Sequence, residues 1–308
     1  SVLICANGES GTTIIEHLVI TGGLDVYGGG MRCTGTSPTL RNIQFTSNTG
    51  AHGGGMSSTN GSPILIGCSF TNNLATIDGG GMSIQEGSPI LENCQFSDND
   101  TYSLIQDTSG GGLYIIDAQV TLLECDFSNN TVDALKEDSS GGGMYAIDSE
   151  VTLLDSTFNG NASGSSPGTA TGGGVTASGA SLAMTNCSFD GNQASRGGGM
   201  YAISGSTPNL IGCTFSNNSV AAPGYGGGIY SIESTPILNT CNFTQNEAAY
   251  GAGMMIWTSS ASLEQCVFTE NNATGLGAGA FNYLQKNNLT MMVDCDFLGN
   301  TADSGGAI

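Results

Sequence analysis

Ten times along the 308 residues a phenylalanine is followed three positions later by asparagine: Phe45, Phe70, Phe96, Phe127, Phe158, Phe189, Phe215, Phe243, Phe268 and Phe297. Each of them follows a glycine motif. Glycine triplets begin at Gly28, Gly53, Gly79, Gly110, Gly141, Gly172, Gly197 and Gly226, with Gly-Ala-Gly variants at Gly251 and Gly277. Such a repeat constrains the fold more than any other feature, because one unit of 25 to 31 residues cannot bury its own apolar face and must stack on its neighbours. The distance from first glycine to phenylalanine is 17 residues in eight repeats, 18 in one and 20 in the last. From phenylalanine to the next triplet it is 8, 9, 14, 14, 14, 8, 11, 8, 9 and 8. A fixed segment joined by a return of free length is what a coil of stacked rungs requires, since only a surface corner absorbs insertions.

Within the fixed segment, leucine or methionine stands five before the phenylalanine (Leu40, Leu65, Leu91, Leu122, Leu153, Met184, Leu210, Leu238, Leu263, Met292). Two before it stands Cys68, Cys94, Cys125, Cys187, Cys213, Cys241, Cys266 or Cys295, replaced by Ile43 and Ser156 in two repeats. Cysteine and phenylalanine, two apart, share one face of a strand. The polar or small residues between leucine and cysteine (Gly67, Asn93, Asp155, Gly212) mark a bend. Further back, Pro-Ile-Leu or Val-Thr-Leu gives a second short strand, and the residues after the triplet give a third, led inward by Met31, Met56, Met82, Leu113, Met144, Met200 and Met254. The pattern predicts an all-β, right-handed parallel β-helix of ten to eleven rungs with three short strands per rung, one domain over residues 1–308. Leucine, cysteine, phenylalanine and methionine then form vertical ladders. So do Asn48, Asn73, Asn99, Asn130, Asn161, Asn192, Asn218, Asn246, Asn271 and Asn300, placed by this reading at a corner whose left-handed geometry suits asparagine.

The Phe-x-x-Asn motif, repeated from about Ile14 to Ile308, resembles the repeats of the polymorphic membrane proteins of chlamydial autotransporters. The glycine motif differs, reading mostly Gly-Gly-Gly-Met, and only Gly305 to Ile308 spells the Gly-Gly-Ala-Ile form. The resemblance implies a right-handed β-helix displayed on a cell surface, often in adhesion, and transfers no catalytic residue.

Eight cysteines fall on one inward ladder in blocks of three and five, which cannot all pair between neighbouring rungs, so a mostly reduced ladder is expected. Cys5 and Cys33 lie off it. Nine Asn-x-Ser/Thr sequons occur at Asn60, Asn99, Asn129, Asn161, Asn186, Asn217, Asn242, Asn272 and Asn288. Asn99 and Asn161 belong to the corner ladder and are expected to be shielded, whereas Asn129, Asn217 and Asn272 flank it.

A net charge of -21 with five scattered bases excludes a nucleic-acid partner, and no apolar run reaches the length of a membrane helix. Polysaccharide lyases and glycosidases use clustered acids beside basic residues, but no Asp-Asp, Gly-His-Gly or Arg-x-Lys occurs. Arg32 and Arg41 sit near His52 in the first full repeat and read as surface charge; no catalytic residue and no cofactor are assigned. Of three consecutive 14-residue returns, which must sit side by side, the first two gather acids at Asp98, Asp100, Asp107, Asp133, Glu137 and Asp138, a solvated crest with calcium as the alternative. Outward positions after the triplet carry Tyr114, Tyr145, Tyr201 and Tyr230, with Ile116, Ile147, Ile203, Ile232 and Trp257 two residues further along their strands. That stripe is a candidate contact surface or carbohydrate-stacking face, unless the strand folds the isoleucines inward. The expectation is an extracellular or cell-surface rod that self-associates as a fibre subunit or spacer, within a longer repeat protein or a stacked assembly. An adhesin or glycan-binding rod is the alternative.

Overall fold

The computed structural model describes residues 1–135, 137–165, 168–283 and 289–307. One rung shows how the sequence builds the whole. Met144–Ile147 forms the strand after the triplet and Glu150–Leu154 the second; Thr157–Asn159 carries the phenylalanine, and Ala162–Ser165 with Ala170–Thr171 runs back to the next glycines. Strands of one kind stack in parallel on those of the rungs above and below. The first three kinds make sheets 1, 2 and 3, each of 11 strands, in agreement with the expected rung number and the expected three strands of the fixed segment. Sequence reading treated the return as loop. It contributes a further sheet 4 of 14 strands, interrupted by register shifts where neighbouring returns differ in length. The three long returns, expected side by side, pair residue for residue, Asp100 with Thr131 and Thr131 with Ala162.

Sharp corners between sheets need residues with positive φ. The bend between sheets 2 and 3 falls where expected, with Gly67, Asn93, Asp155 and Gly212 at φ of 61, 51, 50 and 64°. The next corner corrects the sequence reading: the left-handed residue is the one before the ladder asparagine, such as Ser47, Asn72 or Asn129. The ladder asparagine itself turns inward and is buried. Asn161 shows the pattern: its Nδ2 donates to Phe127 O (2.9 Å) and to Asn192 Oδ1 (3.0 Å), while its Oδ1 accepts from the N and Nδ2 of Asn130 at 3.0 and 2.9 Å. This network satisfies amide groups that burial would otherwise penalise, and it repeats from Asn48 to Asn300.

Beside it the phenylalanines stack with centroids 4.5 to 5.0 Å apart and planes within 6°. The methionine and leucine ladders fill the remainder of one continuous core. All ten cysteines are unbridged. Cys125 points its thiol at the carbonyls of Leu91 and Leu123, each at 3.5 Å, and in the next rung Ser156 makes the corresponding bond to Leu154 O at 3.1 Å. Cys5 and Cys33, off this ladder, are register partners on adjacent rungs.

Candidate functional site: a groove along sheet 1

The last residue before each glycine motif decides the surface beside sheet 1. In order these are Tyr27, His52, Asp78, Ser109, Ser140, Thr171, Arg196, Tyr225, Tyr250 and Leu276, and each is paired in register with the next. They form one rim of a groove. Its floor is the outward face of sheet 1, so the expected stripe does point outward: Tyr114, Tyr145, Ile116, Ile147, Ile203, Ile232 and Trp257 are half-buried. The isoleucines are not folded into the core, whose inward positions are Ile115, Ala146 and Ala202. Tyr201 and Tyr230 depart from the expectation of an exposed contact face. They are each 5% exposed because Tyr225 and Tyr250 of the rim close over them, forming with Met255 and Trp257 an apolar cluster outside the main core.

Aromatic rings line the groove in sequence. Tyr225 stacks on Tyr250 at 5.3 Å, and Trp257 on Tyr283 at 4.5 Å, with Tyr283 exposed. Nearer the first rungs, Tyr114 and Tyr145 meet at 5.7 Å. Between these groups a recess of about 310 Å³ holds Tyr145, Thr176, Ser178, Arg196 and Asp138. Burial pushes the Tyr145 and Tyr201 phenols up, which keeps them as neutral hydrogen-bonding groups.

Sequence reading missed the constellation at the other end of the groove. His52 Nδ1 lies 2.7 Å from Asp78 Oδ2, and the imidazole stacks on Tyr27 with centroids 5.0 Å apart. The hydrogen bond to Asp78 raises the His52 pKa, more than partial burial lowers it. These residues line a recess of about 200 Å³ with Ser57, Ser83, Gln85 and Tyr114, and Arg32 opens onto the adjoining part of the groove beside Tyr27 and Gln85. The available signal was the identity of the pre-triplet residue in each repeat. Arg41, by contrast, is exposed on sheet 2.

Elsewhere the expected sites are distributed as follows. Asn99 and Asn161 are fully buried in the ladder with their amides engaged. Asn60, Asn129, Asn186, Asn217, Asn242 and Asn272 are exposed, and Asn288 lies outside the described residues. The acids of the long returns are spent on neighbouring donors: Asp100 accepts from Thr131, Asp107 from the Asp138 amide, and Asp138 from the Thr169 amide. Asp133 is pushed up by partial burial and by Asp100. Among the described residues no three acids, histidines or cysteines converge as metal ligands. Among the described residues there is no helix long and apolar enough to cross a membrane.

The family model described as right handed beta helix region matches residues 2–130 and 101–273. Comparison with curated proteins and with solved structures gave no match.

Proposed function

The chain belongs to the right-handed β-helix family, and from that premise we propose that it is a cell-surface rod that holds an extended glycan strand in the groove along sheet 1. The observation that carries this reading is the form of the aromatic stripe. It is the floor of a furrow rimmed by a second ladder, not a flat lateral face. Sugars present apolar C–H faces and hydroxyl edges, and the furrow offers Tyr145, Trp257 and Tyr283 for stacking with Ser57, Thr176, Ser178 and Gln85 for hydrogen bonds. A peptide added as a β-strand would need an unpaired strand edge, but sheet 1 bonds along its length from rung to rung and reads a ligand through side chains alone. The surface location is supported by the resemblance of the Phe-x-x-Asn repeats to those of chlamydial polymorphic membrane proteins.

Binding of a polysaccharide panel by co-sedimentation tests the proposal. Trp257→Ala and Tyr145→Ala are each expected to weaken retention by roughly three- to tenfold, the worth of one aromatic stack. Retention of no glycan, or variants that bind as the parent does, would sink it. A second reading, the structural rod or fibre subunit, is favoured by the outward face of sheet 2, where Ile211 and Ile237 on adjacent strands are 45% and 52% exposed and a second copy would cover them. Filaments in negative-stain micrographs that lose their length on Ile211→Lys would favour it.

A further inference from the structure

Two cysteines stand apart from the ladder. Cys5 and Cys33 are in-register partners on the adjacent parallel strands Leu3–Cys5 and Met31–Thr34, and both face the core at 3% and 0% exposure. Their column continues with Ser58 and Ile84, so it holds one pair of thiols rather than the odd blocks of the ladder. Ladder thiols are committed to the backbone: Cys68 points at the carbonyls of Leu40 and Ile66 at 3.6 and 3.7 Å, and Cys213 at those of Met184 and Ile211, each at 3.6 Å. Among the described residues no carbonyl accepts from Cys5 or Cys33, and each thiol has the other as its neighbour. The buried Thr36 hydroxyl donates to Cys5 O at 3.2 Å, which ties the turn after Cys33 to the strand that carries Cys5. Spacing decides what the pair can do. Adjacent strands stand about 4.8 Å apart, inside the ~4.4–6.8 Å that a disulfide spans between Cα atoms. In-register Cβ atoms keep about the same spacing, just beyond the ~3.5–4.5 Å of a relaxed bridge, so closure draws the strands together and leaves a bond that thiols can reopen.

We propose that Cys5 and Cys33 are a redox-active pair that closes into a disulfide between adjacent rungs by exchange with a low-molecular-weight disulfide. Burial pushes both thiols up, Glu9 adding to the effect at Cys5 and Cys5 adding to it at Cys33, so neither is a thiolate in the closed rung. Exchange therefore takes place while the strand Leu3–Cys5 is opened from its neighbour. One thiol loses its proton to water, attacks a sulfur of the small disulfide and expels the other half as a thiolate. The second thiol then loses its proton and attacks the sulfur held on the protein, expelling the second half. In net terms one S–S bond breaks and one forms: the two protein thiols are oxidised by two electrons, and the small disulfide is reduced to two thiols that take up the two protons. The bridge removes freedom from the opened rung and so holds it shut. The inference is independent of the glycan groove, and the surface location proposed above would supply oxidising surroundings.

The test is to equilibrate the full chain at pH 8 with mixtures of oxidised and reduced glutathione, block the remaining thiols with N-ethylmaleimide in denaturant, and map the peptides by mass without reduction. Oxidising mixtures are expected to link Cys5 to Cys33 and to leave the eight ladder cysteines blocked as free thiols, and an excess of reduced glutathione should restore both thiols of the pair. In the linked chain, amide exchange across Leu3–Cys5 should slow at least about tenfold relative to the reduced chain. Cys33→Ser, taken through the same mixtures, should exchange at one rate in all of them. The proposal is overturned if Cys5 and Cys33 remain free thiols in every mixture, if they carry separate glutathione adducts, or if they bridge no more readily than the ladder cysteines. A linked pair whose amides exchange as in the reduced chain overturns it as well, because the bond would then hold nothing shut.

Discussion

Asn161→Ala tests whether the asparagine ladder holds the solenoid together. The substitution removes four hydrogen bonds: two donated by Nδ2, to Phe127 O and Asn192 Oδ1, and two accepted by Oδ1 from Asn130. Asn192 Oδ1 keeps the backbone N–H of residue 161. The Phe127 carbonyl, the Asn130 N–H and one Nδ2 hydrogen of Asn130 lose partners the structure gives them, in a wall that is fully buried. The Phe127 carbonyl keeps its place in the ladder to the next rung, so the two Asn130 donors are the orphaned groups; at roughly 1 to 3 kcal/mol for each, the smallest total is about 2 kcal/mol. Because a solenoid opens in segments, the loss belongs to the rungs around residue 161 before it belongs to the whole rod. Amide hydrogen exchange at Asn130 reads it directly, since that N–H donates to Asn161 Oδ1; protection is expected to fall at least about thirtyfold. Asn272→Ala, at an exposed position, serves as the control and should leave Asn130 unchanged. A fall of less than tenfold in Asn161→Ala, or an equal fall in the control, would refute the ladder as an energetic element. Asn161→Asp sharpens the test. Its carboxylate would face the Phe127 carbonyl and Asn192 Oδ1, so its pKa rises on folding, and the variant should be less stable at pH 7 than at pH 4.

Phe158→Ala, which empties a place between rings 4.7 and 4.9 Å away, should cost about 3 to 5 kcal/mol by denaturant unfolding, and a cost under about 1 kcal/mol would mean that the stack adds little. Thiol labelling of the native protein should modify Cys295, which is half-buried, well before Cys94, Cys187 or Cys241, whose thiols are raised by hydrogen bonds to neighbouring thiols and by burial; uniform labelling rates would contradict the closed core. Cys125→Ser should be tolerated within about 1.5 kcal/mol, because the Leu91 and Leu123 carbonyls accept from a hydroxyl as Leu154 does from Ser156. The His52 pKa, followed by the ring proton resonances, should lie above about 6.5 and fall in Asp78→Asn. Since the folded value is the higher one, the pair's contribution to stability is present below the unfolded value and is lost as pH rises through the folded value, and a pKa unchanged by Asp78→Asn would break this account.

The core was legible because its ladders are set by counting. A residue at a fixed distance from the phenylalanine must lie at a fixed place in the rung, so Leu153, Phe158 and Asn161 could be stacked on Leu122, Phe127 and Asn130 without coordinates. Even the invariance of the third glycine in the ten complete triplets has a cause in that frame. A Cβ at Gly143 would stand 3.0 Å from the Phe158 ring and 2.7 Å from the Gly174 carbonyl. What counting from the phenylalanine cannot follow is the return, whose length differs from rung to rung. His52 and Asp78 stand seven and eight residues after their phenylalanines, and the register between their strands shifts at Ala75 and Asp78. Counted from the glycines instead, both occupy the same position, immediately before the triplet, because the second corner resets the register that the insertions disturbed. A rung anchored at both ends of its variable segment therefore has two numbering origins. The groove lies on the side governed by the second, where Tyr225 and Tyr250 bury Tyr201 and Tyr230 and where His52 and Asp78 meet.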